Sequence, residues 1–228
     1  MHWIHSYQLF LFDFDGLLVN TEDLHYRAYK KMCEEQGFSL PWDRKTYFQY
    51  ALFSATAIRE ALYRDLPGLN PRWELLYQAK KDAYMHLLRE EGVELMPGVA
   101  ELLITLQHAG IKRGVVTHSP DEQVFLIRQH QPLLNTISTW ITREHYSQPK
   151  PSSECYEKAI KMLAAPEDKI IGFEDSPRGL TSLLGTRAEG IFVTDFFNQE
   201  EIATLAREIG RPFSHHLSFA HMRDTLHV

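Results

Sequence analysis

Asp13 and Asp15 stand one residue apart, directly after the apolar run Leu9-Phe10-Leu11-Phe12 and directly before Gly16. A short apolar run that ends in a turn signal reads as a buried strand, so both acids fall at a strand's carboxyl end. Two like charges held that close are costly unless a cation or a reacting phosphate neutralises them. A catalytic Mg²⁺ site is one arrangement that does so. Taken alone, an Asp-x-Asp-Gly stretch is equally a strand end followed by a cap, so its meaning depends on what the rest of the chain brings to it.

Three other segments bring chemistry of the same kind. The strand expected over Ile111–Val116 stops at Thr117-His118-Ser119-Pro120, and the one expected over Lys169–Phe173 stops at Glu174-Asp175. Lys150 sits in the loop 147–151, at the head of a helix. In a doubly wound parallel sheet, ligands bind outside the carboxyl ends of the strands, so residues that follow different strands converge. Carboxylates, a hydroxyl, an ammonium and exposed backbone amides together make a site for Mg²⁺ and a phosphoryl group. Read singly, Thr117 is a plain strand end and Lys150 a solvated loop charge.

The elements that would position these groups follow from periodicity. Asn20 serves as an N-cap for a helix in which Leu24, Ala28, Met32 and Cys33 recur until Gly37. Residues 41–55 read as irregular and rich in aromatics, with Trp42, Tyr47, Phe48, Tyr50 and Phe53, and a short helix follows over 56–64. Asn70 and Pro71 are placed as N-cap and N1 of a helix running to about Glu91. Beyond Pro97, strand and helix alternate in the βα rhythm of a parallel sheet. Ile191–Val193 is the fifth strand, and Asn198 with Glu201 opens a last helix as a capping box. The fold class is therefore α/β, with a Rossmann-like parallel sheet core from 1–19 and 93–228 and a small inserted α-helical domain from 20–92.

Composition narrows the function. A chain of 228 residues with 44% hydrophobic content buries a full core. A formal charge of −6 offers no basic field for nucleic acid or an anionic membrane, and no apolar run is long enough to span a bilayer. The start of the chain has no secretory n- or h-region, and two distant cysteines, Cys33 and Cys155, do not make a disulfide framework. A cytoplasmic location is expected.

Four motifs then match in order: Asp13-Phe14-Asp15-Gly16 through Asn20-Thr21-Glu22, Val115-Val116-Thr117-His118-Ser119, Lys150-Pro151, and Gly172-Phe173-Glu174-Asp175-Ser176-Pro177-Arg178-Gly179. The chain thereby resembles the haloacid dehalogenase superfamily, in its branch of small phosphatases and β-phosphoglucomutases with a helical cap inserted after the first strand. The resemblance implies that Asp13 is a nucleophile forming an aspartyl-phosphate and that Asp15 is the acid, then the base. It implies Mg²⁺ held by the Asp13 side chain, the Asp15 carbonyl and Asp175, with Glu174 a direct ligand or an orienting neighbour. Thr117, the backbone amides after it from His118 on, and Lys150 would hold phosphoryl oxygens.

His25 falls where β-phosphoglucomutases and several sugar-phosphate phosphatases carry a histidine. The cap lysine and arginine of the mutases fall on Ala51 and Ala55, which argues for water as the final acceptor. Arg44, Lys45 or Arg59 could compensate, and Tyr47, Tyr50 and Phe53 hint at a pocket that is not wholly polar. The expected function is Mg²⁺-dependent hydrolysis of a small phosphorylated metabolite. The alternatives are a β-phosphoglucomutase-type mutase and a non-catalytic binding protein on the same fold; haloacid dehalogenation is disfavoured by Asp15. Lys80 and Lys81 read as exposed helix charges, and His215, His216, His221 and His227 as a solvated or edge-strand tail.

Overall fold

Every side chain of Leu9-Phe10-Leu11-Phe12 is buried, and these residues form β1 (Leu9–Phe12). A strand covered on both faces requires a continuous apolar run rather than alternation. The computed structural model describes residues 2–53 and 56–222, without the side chains of residues 52 and 53. The sequence features at Ala55, His227 and the Phe53 side chain lie outside the described residues.

In chain order, β1 is followed by α1 (Glu22–Glu35), α2 (Arg44–Phe53), α3 (Ala57–Asp65), α4 (Trp73–Glu91) and α5 (Val99–His108). Then come β2 (Lys112–Val116), α6 (Asp121–His130), β3 (Thr139–Ile141), α7 (Glu154–Leu163) and β4 (Ile170–Glu174). α8 (Pro177–Leu184), β5 (Glu189–Val193), α9 (Gln199–Ile209) and β6 (Ser214–His216) complete the succession. The chain divides into two compact units, residues 1–20 with 94–228 and residues 21–93.

The larger unit is the expected α/β layer structure. Its six strands lie in the order β3-β2-β1-β4-β5-β6, all pairs parallel. Leu11 pairs with Gly114 of β2 on one side and Gly172 of β4 on the other, so the strand bearing the Asp-x-Asp motif is flanked by the two that lead into the other motifs. The core stacks Phe12 on Phe173 at 5.1 Å between ring centroids, with Phe10 and Phe219 against the same ring. Asn198 caps α9 in the expected capping box with Glu201. His215 and His216 belong to the edge strand β6, which pairs with β5.

The smaller unit is helical and carries its own core of Tyr29, Met32, Cys33, Trp42, Tyr47, Phe48, Leu62 and Leu76. Three local expectations are corrected here. Residues 44–53 form α2 rather than an irregular stretch, because burial of Tyr47 and Phe48 in that core outweighs their weak helix propensity, and Asp43 Oδ1 accepts from Thr46 N at its start. α4 begins at Trp73 because Asn70 Oδ1 accepts from Arg72 N, which closes a turn before the helix instead of capping it. α1 begins at Glu22 with Thr21 and not Asn20 at its N-cap position, and Asn20 N donates to Glu94 O. Among the described residues, no helix is long and apolar enough to cross a membrane.

Candidate active site

The backbone ladder extends one residue past two strands and aims the motif side chains. Asp13 N donates to Phe173 O at 3.0 Å, and Thr117 N donates to Ile141 O at 2.8 Å. Glu174 is the last residue of β4 and is fully buried. β1 leads to β2 on one side and abuts β4 on the other, and a crevice outside such a reversal of strand order is where this architecture binds ligands. Asp13, Asp15, Thr117, Lys150, Glu174 and Asp175 all belong to this unit.

Lys150 organises the acids. Its Nζ donates to Asp13 Oδ1 at 2.6 Å, to Glu174 Oε1 at 2.6 Å and to Val116 O at 3.0 Å, which uses all three ammonium protons. Burial disfavours the Lys150 charge, but the Asp13 and Glu174 carboxylates override it and hold the amine above the ordinary lysine range. Burial also pushes the Glu174 carboxyl up, to about 7, with Lys150 opposing and Asp13 adding to the rise. Tyr156, inside the sheet-facing side of α7, donates its hydroxyl to Glu174 Oε1 at 2.5 Å and lies under the Lys150 ammonium, 5.0 Å from ring centroid to Nζ.

Glu174 Oε2 is buried and has no hydrogen-bond partner among the described residues. A Cβ at Gly179 would approach it to 2.0 Å, so only glycine fits beneath that carboxylate. Asp13, Glu174 and Asp175 each offer a carboxylate oxygen within 4.8 Å of the others. Three hard carboxylate oxygens so close fit a hard divalent cation such as Mg²⁺.

Asp15 is held apart from this cluster by neutral donors. Its Oδ2 accepts from Ser119 Oγ at 2.5 Å and from Thr117 Oγ1 at 3.2 Å, and its Oδ1 accepts from Gln123 Nε2 at 2.9 Å. His118 lies 3.0 Å from the Tyr146 hydroxyl through Nδ1. That hydroxyl gives its one proton to Thr117 O at 3.0 Å, so it must accept from a protonated Nδ1. Burial, then Arg178, Arg143 and Lys150, lowers the His118 pKa to about 4, and the ring is neutral at pH 7.

His25 belongs to the helical unit, on α1. Its Nδ1 lies 2.8 Å from Lys80 Nζ, and its ring stacks on Tyr84 at 4.1 Å. An ammonium has no lone pair to offer, so Nδ1 is the acceptor and the imidazole proton resides on Nε2. Lys80 is buried, against expectation, with its charge over the rings of Tyr29, Tyr84 and Tyr77. Tyr47 packs into the core of this unit. Ala51 packs against the same core, and Arg44 pairs with Asp23 at 3.4 Å.

Burial and then Lys80 hold the His25 pKa well below its ordinary value. The folded state therefore refuses a proton that the unfolded state takes up below about pH 6.5. Stability contributed by neutral His25 is full above that pH and is lost as pH falls. Between pH 7.5 and 5.5 the wild type is expected to lose about 1 kcal/mol from this residue. His25→Gln should lack that component in urea melts at the two pH values, and equal pH slopes for both proteins would contradict it.

Sequence reasoning missed Lys80, Ser119, Gln123 and Tyr156 as members of polar networks. Lys80 had a signal, since it lies four residues from both Leu76 and Tyr84 on the buried stripe of α4. Gln123 follows Ser119 by four residues, across the start of α6. Tyr156 was legible only as one residue of an apolar helical repeat.

A family model described as haloacid dehalogenase-like hydrolase matches residues 10–193. Protein CbbY of Cereibacter sphaeroides is 28% identical over 200 residues, 84% of this chain and 86% of that protein. Validoxylamine A 7'-phosphate phosphatase of Streptomyces hygroscopicus subsp. limoneus is 26% identical over 200 residues, 88% of this chain and 90% of that protein. The crystal structure of CbbY from Rhodobacter sphaeroides in complex with phosphate superposes with a TM-score of 0.73 at 26% identity, covering 95% of this chain and 96% of that one. With the family match running from the Asp-x-Asp strand through β5, the chain belongs to the haloacid dehalogenase-like hydrolase family.

Proposed function

We propose that the protein is a phosphomonoesterase that hydrolyses a small phosphorylated metabolite through an aspartyl-phosphate. What carries the reading is the pairing of Asp13 and Glu174 with one buried ammonium and the clustering of Asp175 with those two acids, alongside Asp15 held by neutral donors. The relatives named as phosphatases, and the phosphate bound to the CbbY structure, support it.

An oxygen of the Asp13 carboxylate attacks phosphorus and the bond from phosphorus to the ester oxygen breaks. Asp15 gives its proton to the departing alkoxide and then takes one from the water that attacks the phosphorylated Asp13, which releases inorganic phosphate and restores both acids. Lys150 offsets the charge of Asp13 and Glu174, and its ammonium, the Thr117 hydroxyl and the His118 backbone amide are assigned to the phosphoryl oxygens. Asp13, Asp175, Glu174 and the Asp15 carbonyl would hold Mg²⁺, which when bound supplies charge neutralisation to the phosphoryl oxygens. The helical unit, with His25, is assigned to substrate selection. We infer a cytoplasmic enzyme, supported by two buried thiols, Cys33 and Cys155, that are not joined in a disulfide.

The test is release of inorganic phosphate from a panel of sugar phosphates, nucleoside monophosphates and other phosphomonoesters, with Mg²⁺ or with EDTA. Release that needs the metal supports the reading; silence across the panel, followed by conversion of β-glucose 1-phosphate, would replace it with a mutase. Asp175→Ala is expected to raise the Mg²⁺ concentration for half-maximal rate by about 10- to 100-fold, as loss of groups around a metal does. Calorimetric Mg²⁺ titration checks this without turnover, and an unchanged affinity would remove Asp175 from the ligand set.

A further inference from the structure

We propose that Gln123, acting together with Ser119, is the positioning residue that sets the Asp15 carboxylate for proton transfer to the leaving group. The inference rests on the phosphatase reading above and adds Gln123, a residue that none of its motifs contains, and a role for Ser119.

Gln123 lies in the first turn of α6 and is buried, with 6% of its surface exposed. A buried primary amide must place both its hydrogens. One goes to Asp15 Oδ1 at 2.9 Å and the other to Ser119 Oγ at 2.8 Å. Because Ser119 Oγ already accepts from the amide, its single proton is directed to Asp15 Oδ2, 2.5 Å away. The amide and the hydroxyl therefore clamp the two carboxylate oxygens separately, and the carboxyl plane is not free to turn. Thr117 completes the arrangement: its Oγ1 accepts from Ser119 N at 2.9 Å and donates to Asp15 Oδ2 at 3.2 Å. The hydroxyl assigned to phosphoryl oxygen thus touches the carboxyl assigned to the ester oxygen.

The platform under the clamp is anchored. Val124 and Ile127 on the same helix are buried, and Asp121, at its first position, accepts from Thr142 Oγ1 at 2.6 Å. Leu or Met at 123 would fill the space with no donor, and Glu would set a second carboxylate against Asp15. The amide is the side chain of this length that donates to both partners without adding charge. General acid catalysis depends on the proton lying within hydrogen-bond reach of the leaving oxygen in the correct direction, and the clamp fixes that direction.

The experiment compares kcat/KM for two classes of substrate in wild type, Gln123→Met, Ser119→Ala and Asp15→Ala. The ratio kcat/KM reports phosphoryl transfer to Asp13 and not the later hydrolysis. An alkyl phosphate needs its alkoxide protonated; p-nitrophenyl phosphate does not. Gln123→Met is expected to lower kcat/KM for the alkyl phosphate by about 10- to 100-fold, with a loss for p-nitrophenyl phosphate several-fold smaller. Ser119→Ala should share this selectivity, and Asp15→Ala should show it most strongly. Thermal melts of each variant report folding separately.

A merely structural Gln123 would cost both substrates equally, and that result overturns the clamp, as does no loss for either. A gain on the alkyl phosphate also overturns it, because the clamp would then be holding Asp15 back. A wild type that releases phosphate from neither class overturns the phosphatase reading itself, an outcome distinct from an active wild type whose Gln123 variants lose no selectivity.

Discussion

Asp13→Asn is expected to fold as the wild type does and to lose turnover by about four orders of magnitude or more, since removal of a covalent nucleophile leaves only binding and electrostatic contributions. The amide is nearly isosteric with the acid, and its oxygen can still accept from Lys150 Nζ, which lies 2.6 Å from Asp13 Oδ1. Folding should not suffer, because the substitution also removes one of two carboxylates that share the Lys150 ammonium. Thermal stability equal to or slightly above wild type, together with loss of phosphate release, is the expected pair of results. Phosphate release within tenfold of wild type would take the nucleophile role away from Asp13.

Lys150→Met should act in the opposite way, on the fold as much as on the chemistry. Lys150 and Glu174 are buried and Asp13 nearly so, and the ammonium is the cation common to both acids. Deleting one partner of a buried ionic cluster leaves uncompensated charge and costs about 3–5 kcal/mol. For a chain of this size that corresponds to a fall in Tm of roughly 6–20 °C. The deficit should be larger at pH 8 than at pH 5.5. Burial already raises the Glu174 carboxyl to about 7, so at low pH it takes a proton and no longer needs the cation. Millimolar Mg²⁺ should restore part of the loss, as a cation that binds only the folded state. A Tm within 2 °C of wild type at pH 8 without metal would show that Lys150 does not neutralise the acids.

These two variants separate roles that the motifs alone leave merged. Asp13 and Lys150 are both motif residues, yet one is expected to alter the reaction with the fold intact and the other to alter both. The difference arises because Asp13 has a neutral isostere that keeps its hydrogen bond. No neutral side chain of Lys150's length supplies the three donors that Asp13, Glu174 and Val116 O receive.

The helical unit shows where local reading stops. Residues 44–53 have the aromatic and β-branched content of a poor helix, and they are nevertheless α2 because Tyr47 and Phe48 are buried among Tyr29, Leu62 and Leu76. Lys80 looks like any surface lysine beside Lys81, but three tyrosine rings and His25 surround it. The partners that bury Tyr47 and Phe48 come from other helices, and around Lys80 only Tyr77 and Tyr84 belong to its own helix, while Tyr29 and His25 come from α1.

What the amino-acid order determined by itself was the class of fold, the positions of most strands and helices, and the set of motif residues that end at strand termini. Those properties are local: a buried strand needs an unbroken apolar run such as Leu9–Phe12, a helix needs period and punctuation, and a carboxylate after a strand faces outward from its end. The tertiary structure alone decided which groups share protons. Strand order put β1 between β2 and β4, and only that placed one ammonium on both Asp13 and Glu174, Tyr156 beneath Glu174, and Gln123 against Asp15. Hydrogen bonds between residues 108 or 137 positions apart depend on how the sheet closes and not on any neighbouring sequence, so no pattern along the chain records them.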